Sequence, residues 1–155
     1  MAKRKLISEP DHFPDLYIFG ITSQLKDYRL AYYVNRDCDI MLAKLEDLPL
    51  FIEKDEITIN YSLYAYINTT QHLNYFLLIN NNEGNRILPN SKQADFLLLV
   101  NGQTGTLNAA DLIADLRKIP GVQFAFNIEK EKIKNLDGIM SDLEIHLVEN
   151  SQRSG

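Results

Sequence analysis

The chain has 155 residues, a formal net charge of −5 at pH 7 and an apolar fraction of 45%. This composition excludes collagen-like, coiled-coil and disordered chains, and no apolar run reaches the roughly 18 residues of a membrane-spanning helix. We therefore expect one domain over residues 1–155, with an ordered core over about 5–148 and a flexible polar tail over 149–155.

The first predicted elements are a strand and a helix. Residues 16–22 form a short apolar run of β-formers, which predicts a buried strand. Ser23 is a suitable N-cap, so the sequence predicts a helix over 24–35 with Leu25, Tyr28 and Tyr32 facing the sheet. A polar break follows at 35–39, and residues 40–45 are compatible with a strand or a loop.

The clearest strand pattern covers residues 56–67, where apolar and polar positions alternate. Tyr64 and Tyr66 fall on the more polar of its two faces. Residues 73–79 predict the return strand of a hairpin. The Asn-rich and Gly-containing segment 80–85 predicts a turn, and residues 86–88 a short strand that Pro89 ends.

In the C-terminal half, five consecutive apolar residues at 96–100 predict a central strand covered on both faces. Asn108 is a good N-cap for a helix, with Asp111 in its first turn, and Pro120 and Gly121 end that helix. Residues 122–128 alternate as a strand does. The segment 130–148 fits a helical stripe and a strand equally well, so its periodicity leaves both open.

These elements predict an α+β fold, namely a two-layer sandwich with a mainly antiparallel sheet and two helices on one face. A ferredoxin-like arrangement with an inserted hairpin is one topology that fits the order of the elements.

Neither a metal nor a cofactor is expected. His12, His72 and His146 are far apart and match no zinc pattern. Alternation of Asn35, Asp37 and Asp39 resembles the start of a calcium loop, but the required glycine is absent, which favours a solvated turn. We also identify no catalytic residue, which favours a non-enzymatic chain but leaves an enzyme of unknown class open.

Two further chemistries have little support. Cys38 lies between Asp37 and Asp39, and neighbouring carboxylates raise a thiol pKa instead of activating it. Gly102 and Gly105 precede the second helix, where a phosphate loop would lie, but no Gly-Lys-Ser/Thr follows. A mobile connection is therefore favoured over anion binding by amides near Asn108.

Tyrosines concentrate on the two central hairpin strands. Tyr64 and Tyr66 are the candidate interaction surface, because Tyr is favoured at protein interfaces. Residues 56–79 contain no Lys or Arg, so stacking of single-stranded nucleic acid is not expected there.

Residues 88–96 read Leu-Pro-Asn-Ser-Lys-Gln-Ala-Asp-Phe, which resembles the motif that names the IPExxxVDY family of uncharacterised bacterial proteins. Pro89 and Asp95 match the motif, whereas Asn90 replaces its glutamate. The segments 20–30 and 118–122 also resemble that family, and the resemblance covers about residues 5–130. It implies no activity and no site residue. From the residues themselves, we expect Pro89 to end a strand and Asp95 to accept hydrogen bonds from amides of that turn.

The remaining features favour a cytoplasmic protein. No secretory leader is evident, a single cysteine excludes an internal disulfide framework, and the basic cluster Lys3–Lys5 is expected to be a solvated arm. Three functions remain open. The first is a protein-interaction or regulatory module, with an unknown protein partner or itself as a homodimer; the others are an ACT-like small-ligand sensor and an enzyme of unknown class.

Overall fold

The computed structural model of the chain describes residues 13–52 and 54–154. The predictions for the basic cluster Lys3–Lys5 and for His12 lie outside these residues. None of the described helices combines the length and apolar character that a membrane crossing requires.

The fold is α+β, as predicted, and its centre is a six-stranded sheet in which every neighbouring pair is antiparallel. The order of the strands is β2-β3-β4-β7-β1-β8, and β5 and β6 form a separate two-stranded ribbon. The bounds are β1 (Leu16–Ser23), β2 (Ala43–Ile52), β3 (Ile57–Asn68), β4 (Leu73–Ile79), β5 (Asn81–Asn82), β6 (Asn85–Arg86), β7 (Phe96–Gly102) and β8 (Val122–Asn127).

Three α-helices pack on this sheet: α1 (Asp27–Cys38), α2 (Ala109–Arg117) and α3 (Leu136–Ser154). The first two share a core on one face of the sheet, which confirms the predicted pair of helices on one side. Helix α3 contributes to a second core on the opposite face, together with the loop between β6 and β7, so this part of the sheet has a third layer.

When β2, β3, the β5–β6 ribbon and α3 are left out, the chain order is β1-α1-β4-β7-α2-β8 and the sheet order is β8-β1-β7-β4. The ferredoxin-like hypothesis with an inserted hairpin requires this order. That assignment remains a prediction, whereas the antiparallel pairing is observed.

The central strand β7 explains why the sheet has two cores. The five residues at 96–100 are all buried, and they alternate between the two cores because successive side chains of a strand point to opposite faces. Phe96, Leu98 and Val100 pack under α1 and α2, whereas Leu97 and Leu99 pack towards α3. The prediction of a central strand covered on both faces is confirmed.

The prediction for the first helix was wrong in its start and in its buried face. Helix α1 begins at Asp27, and its N-cap Lys26 makes no side-chain capping bond. The Ser23 hydroxyl does accept from a nearby amide, that of Leu25 at 3.1 Å, and it donates to the carbonyl of Gly121 at 2.8 Å, but no helix begins at this turn. Tyr28 and Tyr32 are 62% and 61% exposed. An aliphatic stripe packs on the sheet instead, formed by Leu30, Ala31 and Val34.

The polar break predicted at 35–39 is likewise part of helix α1, which ends only where Asp39 adopts a left-handed conformation with φ of 58°. Residues 40–45 fitted a strand or a loop; the last three of them begin β2, which continues to Ile52.

The second helix follows its predicted start. The side chain of Asn108 accepts a hydrogen bond from the amide of Asp111 at 3.0 Å, which confirms the N-cap. The ambiguous segment after β8 contains a 3-10 turn (Lys130–Lys132) and then α3, so the helical stripe is the one that the fold uses. Helix α3 includes residues 149–154, and the mobility of that tail remains a prediction.

Candidate functional site

The two tyrosines of the predicted interaction surface do not lie on an open face. Tyr64 is only 8% exposed and belongs to the core under α1. Tyr66 is half-buried and stacks on Tyr75 of β4, with ring centroids 5.8 Å apart. The face of β3 that looked polar in the sequence is covered by a helix, which corrects the expectation that both rings are available to a partner.

Tyr64 instead joins a small polar group at the start of α1. The carboxylate of Asp27 accepts one hydrogen bond from the Ser62 hydroxyl and another from the Tyr64 hydroxyl at 3.3 Å. Burial, followed by the nearby charge of Asp27, raises the pKa of Tyr64 to about 12. The phenol therefore stays protonated at neutral pH, and this group anchors α1 to β3.

Cys38 lies at the other end of α1 from this polar group and is not poised as a nucleophile. Burial, with smaller contributions from the charges of Asp115 and Asp37, raises the pKa of its thiol to about 12. Within the described part of the chain, no group of three or more His, Cys, Asp or Glu side chains is placed to hold a metal ion. The side chain of Asn35 bonds the backbone of Leu42, and Asp37 pairs with Arg36.

A cavity of about 460 Å³ lies beside the start of α2 and the β3–β4 turn. It is lined in part by His72, Gln103 and Asn108, so it occupies the place of the hypothetical anion site. The Asn108 side chain already accepts from the amide of Asp111, and none of the lining residues is a Lys or Arg. Anion binding at this position stays a prediction.

The loop that carries the IPExxxVDY-like motif is held by a buried asparagine. Asn80 is 0% exposed, and its side-chain oxygen accepts from the amide of Leu88 at 2.9 Å. Its side-chain amide donates to the carbonyls of Ser91 and Ala94 at 3.2 and 2.8 Å. One side chain therefore fixes three points of the loop. The sequence indicated only a turn at this position, because an Asn-rich turn does not reveal which asparagine is buried.

The two motif residues have different roles. The carboxylate of Asp95 accepts a hydrogen bond from the amide of Ser23 at 2.8 Å. Asp95 therefore does bond a backbone amide, but one at the end of β1 and not one in its own turn. Pro89 is exposed and does not end a strand as predicted, because β6 already ends three residues earlier at Arg86.

This loop forms one wall of a groove of about 930 Å³, which we call the α3 groove. The described residues that line it come from four parts of the chain: 51 and 52 at the end of β2 with 54 in the turn that follows, 86–91, 126–129 at the end of β8, and 132–135 with Ile139 of α3. Its floor includes three buried aliphatic side chains of the second core, which are Ile87, Leu88 and Ile139.

The opposite wall of the α3 groove is anchored through the backbone of β1. The amide of Ile128 donates to the carbonyl of Ile18 at 2.8 Å, and the ammonium group of Lys130 donates to the carbonyl of Leu16 at 3.1 Å and to that of Phe13. These bonds hold the segment after β8 against the sheet. With Asn80 fixing the other wall, the groove is largely pre-formed.

The rim of the α3 groove is basic although the whole chain is acidic. The described residues of its lining include four cations, Lys54, Arg86, Lys132 and Lys134, and one acidic residue, Glu129, which pairs with Lys132 at 2.7 Å. The hydrogen bond from Lys132 to Glu129, with their mutual attraction, raises the pKa of the lysine. Among described residues, no carboxylate pairs with the other three cations.

Comparison with known proteins adds no relative. No protein-family model, curated protein or solved structure matches this chain. The resemblance to the IPExxxVDY family therefore remains a prediction from the motif residues.

Proposed function

We propose that this chain is a non-enzymatic interaction or regulatory module and that the α3 groove is its binding site. The supporting observation is an open groove of about 930 Å³ with an aliphatic floor and two walls anchored by hydrogen bonds. Apolar surface that remains accessible in a folded domain is typical of binding sites. We place this activity in the cytoplasm, in keeping with a single cysteine that has no disulfide partner.

Exposed aromatic residues allow a matched test of this proposal. Phe51 lines the groove and is 58% exposed, and Tyr32 is 61% exposed on helix α1, which packs on the other face of the sheet. Replacement of either residue by serine removes an exposed ring and leaves the buried cores intact.

The experiment captures partners with the tagged chain from its native cells and then measures binding of the purified partner by calorimetry. We expect Phe51→Ser to lose the partner that the wild type and Tyr32→Ser both retain. A partner that binds all three equally would place the interaction elsewhere. Sedimentation of the pure wild type and of the same two variants tests the homodimer alternative.

The small-ligand sensor is the second candidate, because the groove volume lies within the range of about 300–1,000 Å³ typical of small-molecule sites. A thermal-shift screen against amino acids and nucleotides tests it. A ligand that raises the melting temperature of the wild type but not of Phe51→Ser would favour the sensor over the protein-interaction module. An enzyme of unknown class is the third hypothesis.

A further inference from the structure

We propose that the occupant of the α3 groove is a peptide segment of a partner protein that contains both acidic and apolar residues. This inference rests on the proposed function and specifies the chemistry of the partner.

The charge of the groove differs in sign from that of the whole molecule. The formal net charge of the chain is −5, yet the described lining of the groove has four cationic side chains and one carboxylate. Like charges repel and opposite charges attract across an interface, so this local excess selects an acidic partner. The same excess distinguishes the groove from the rest of the surface, because a molecule with a net charge of −5 repels acidic ligands elsewhere.

The four cations come from separate parts of the chain, and this spread favours a partner with several carboxylates over one with a single anionic head group. Lys54 belongs to the β2–β3 turn, Arg86 to β6, and Lys132 and Lys134 to the segment before α3. Three separate parts of the chain thus supply positive charge. A fatty acid has one carboxylate to share among them, whereas a peptide can place an Asp or Glu near each.

The floor between these cations is apolar. Ile87, Leu88 and Ile139 lie in it, and Phe51 and Pro89 extend it to exposed positions. Asparagine side chains at 90, 127 and 135 also line the groove and can bond a peptide backbone through donors and acceptors alike. The combination fits a segment in which acidic residues alternate with aliphatic or aromatic ones.

Charge reversal at exposed lysines gives variants with a matched control. Lys54→Glu with Lys134→Glu reverses two cations of the groove. Lys26→Glu with Lys118→Glu reverses two exposed lysines beside α1 and α2, on the other face of the sheet. Both double variants change the net charge equally, so any difference between them reports the position of the charges.

The probes are short fluorescent synthetic peptides in three sets: alternating Glu and Leu, alternating Lys and Leu, and alternating Glu and Ser. Fluorescence anisotropy measures their binding, with decanoate as a competitor. We expect the Glu–Leu set to bind best, to weaken with added salt, and to weaken about tenfold in the groove double variant but less than about twofold in the control.

Several results would overturn the inference. These are equal binding of the acidic and basic sets, equal weakening in both double variants, or tight binding of decanoate without binding of the Glu–Leu peptides. The proposed function is tested separately, by the capture experiment with Phe51→Ser. If Phe51→Ser loses a captured partner while the peptides show no preference for acidic residues, the groove binds a partner of another chemistry.

Discussion

Asn80 gives the sharpest test of how the groove wall is built. The change Asn80→Ala removes three side-chain hydrogen bonds and leaves the amide of Leu88 and the carbonyls of Ser91 and Ala94 without that partner. Each lost bond is worth about 1 kcal/mol net, and a buried polar group left unpaired costs about 1–3 kcal/mol. Since the loop can relax and admit water, we expect a loss of about 3–5 kcal/mol in the free energy of unfolding.

Such a loss is a large part of the roughly 5–15 kcal/mol that stabilises a domain of this kind, and it lowers the melting temperature by roughly 10 °C. Urea unfolding, followed by tyrosine fluorescence and circular dichroism, measures it, because the chain has eight tyrosines and no tryptophan. Asn82→Ala is the control. The Asn82 side chain makes an exposed hydrogen bond to the carbonyl of Asn60, so its removal should lower the free energy of unfolding by less than about 1 kcal/mol. If Asn80→Ala unfolds within about 1 kcal/mol of the wild type, the loop is not held as described.

Three other predictions concern the backbone, the sheet edge and pH. Gly102→Ala should cost more than about 2 kcal/mol by urea unfolding, because Gly102 has φ of +113° and an added Cβ would lie 2.2 Å from a backbone carbonyl oxygen of the β3–β4 turn. Gly105→Ala, which meets nothing within 4 Å, should leave stability unchanged; a similar loss for both would contradict this account. The Arg117 Nε donates to the carbonyl of Ala125 in the edge strand β8 at 3.0 Å, so Arg117→Ala leaves that carbonyl without this donor. Because unpaired edge groups can pair with another chain, this variant should self-associate more in sedimentation than the control Lys118→Ala. Since burial raises the pKa of Cys38 from 9.0 to about 12, the thiol should resist alkylation in the native state. Its contribution to stability should be constant below about pH 9 and fall as the pH rises from about 9 towards 12. That fall should be smaller in Cys38→Ala, and an equal pH dependence in both proteins would show that this thiol is not the cause.

Local sequence patterns were enough to predict the features that depend only on residues close in sequence. The alternation of 56–67, the apolar run at 96–100 and the cap at Asn108 each correspond to an observed feature, because pleat geometry and helix capping depend on neighbours in sequence. The class of fold followed from the order of these elements.

The candidate site was not predictable in this way. The α3 groove joins four separate parts of the chain, and the residue that holds its wall, Asn80, had the sequence context of an ordinary turn residue. The motif residue Asp95 was expected to bond its own turn, and it bonds the end of β1 instead.

The sequence by itself determined the positions of β1, β3, β4, β7 and β8 and the start of α2, and its composition suits one α+β domain. The tertiary structure decided which face of each element is buried. Helix α1 carries a tyrosine stripe and an aliphatic stripe, and the aliphatic one packs on the sheet while Tyr28 and Tyr32 stay exposed. Tyr64 is buried because a helix distant in sequence covers its strand. Periodicity describes one element at a time, whereas burial depends on which other element packs against it.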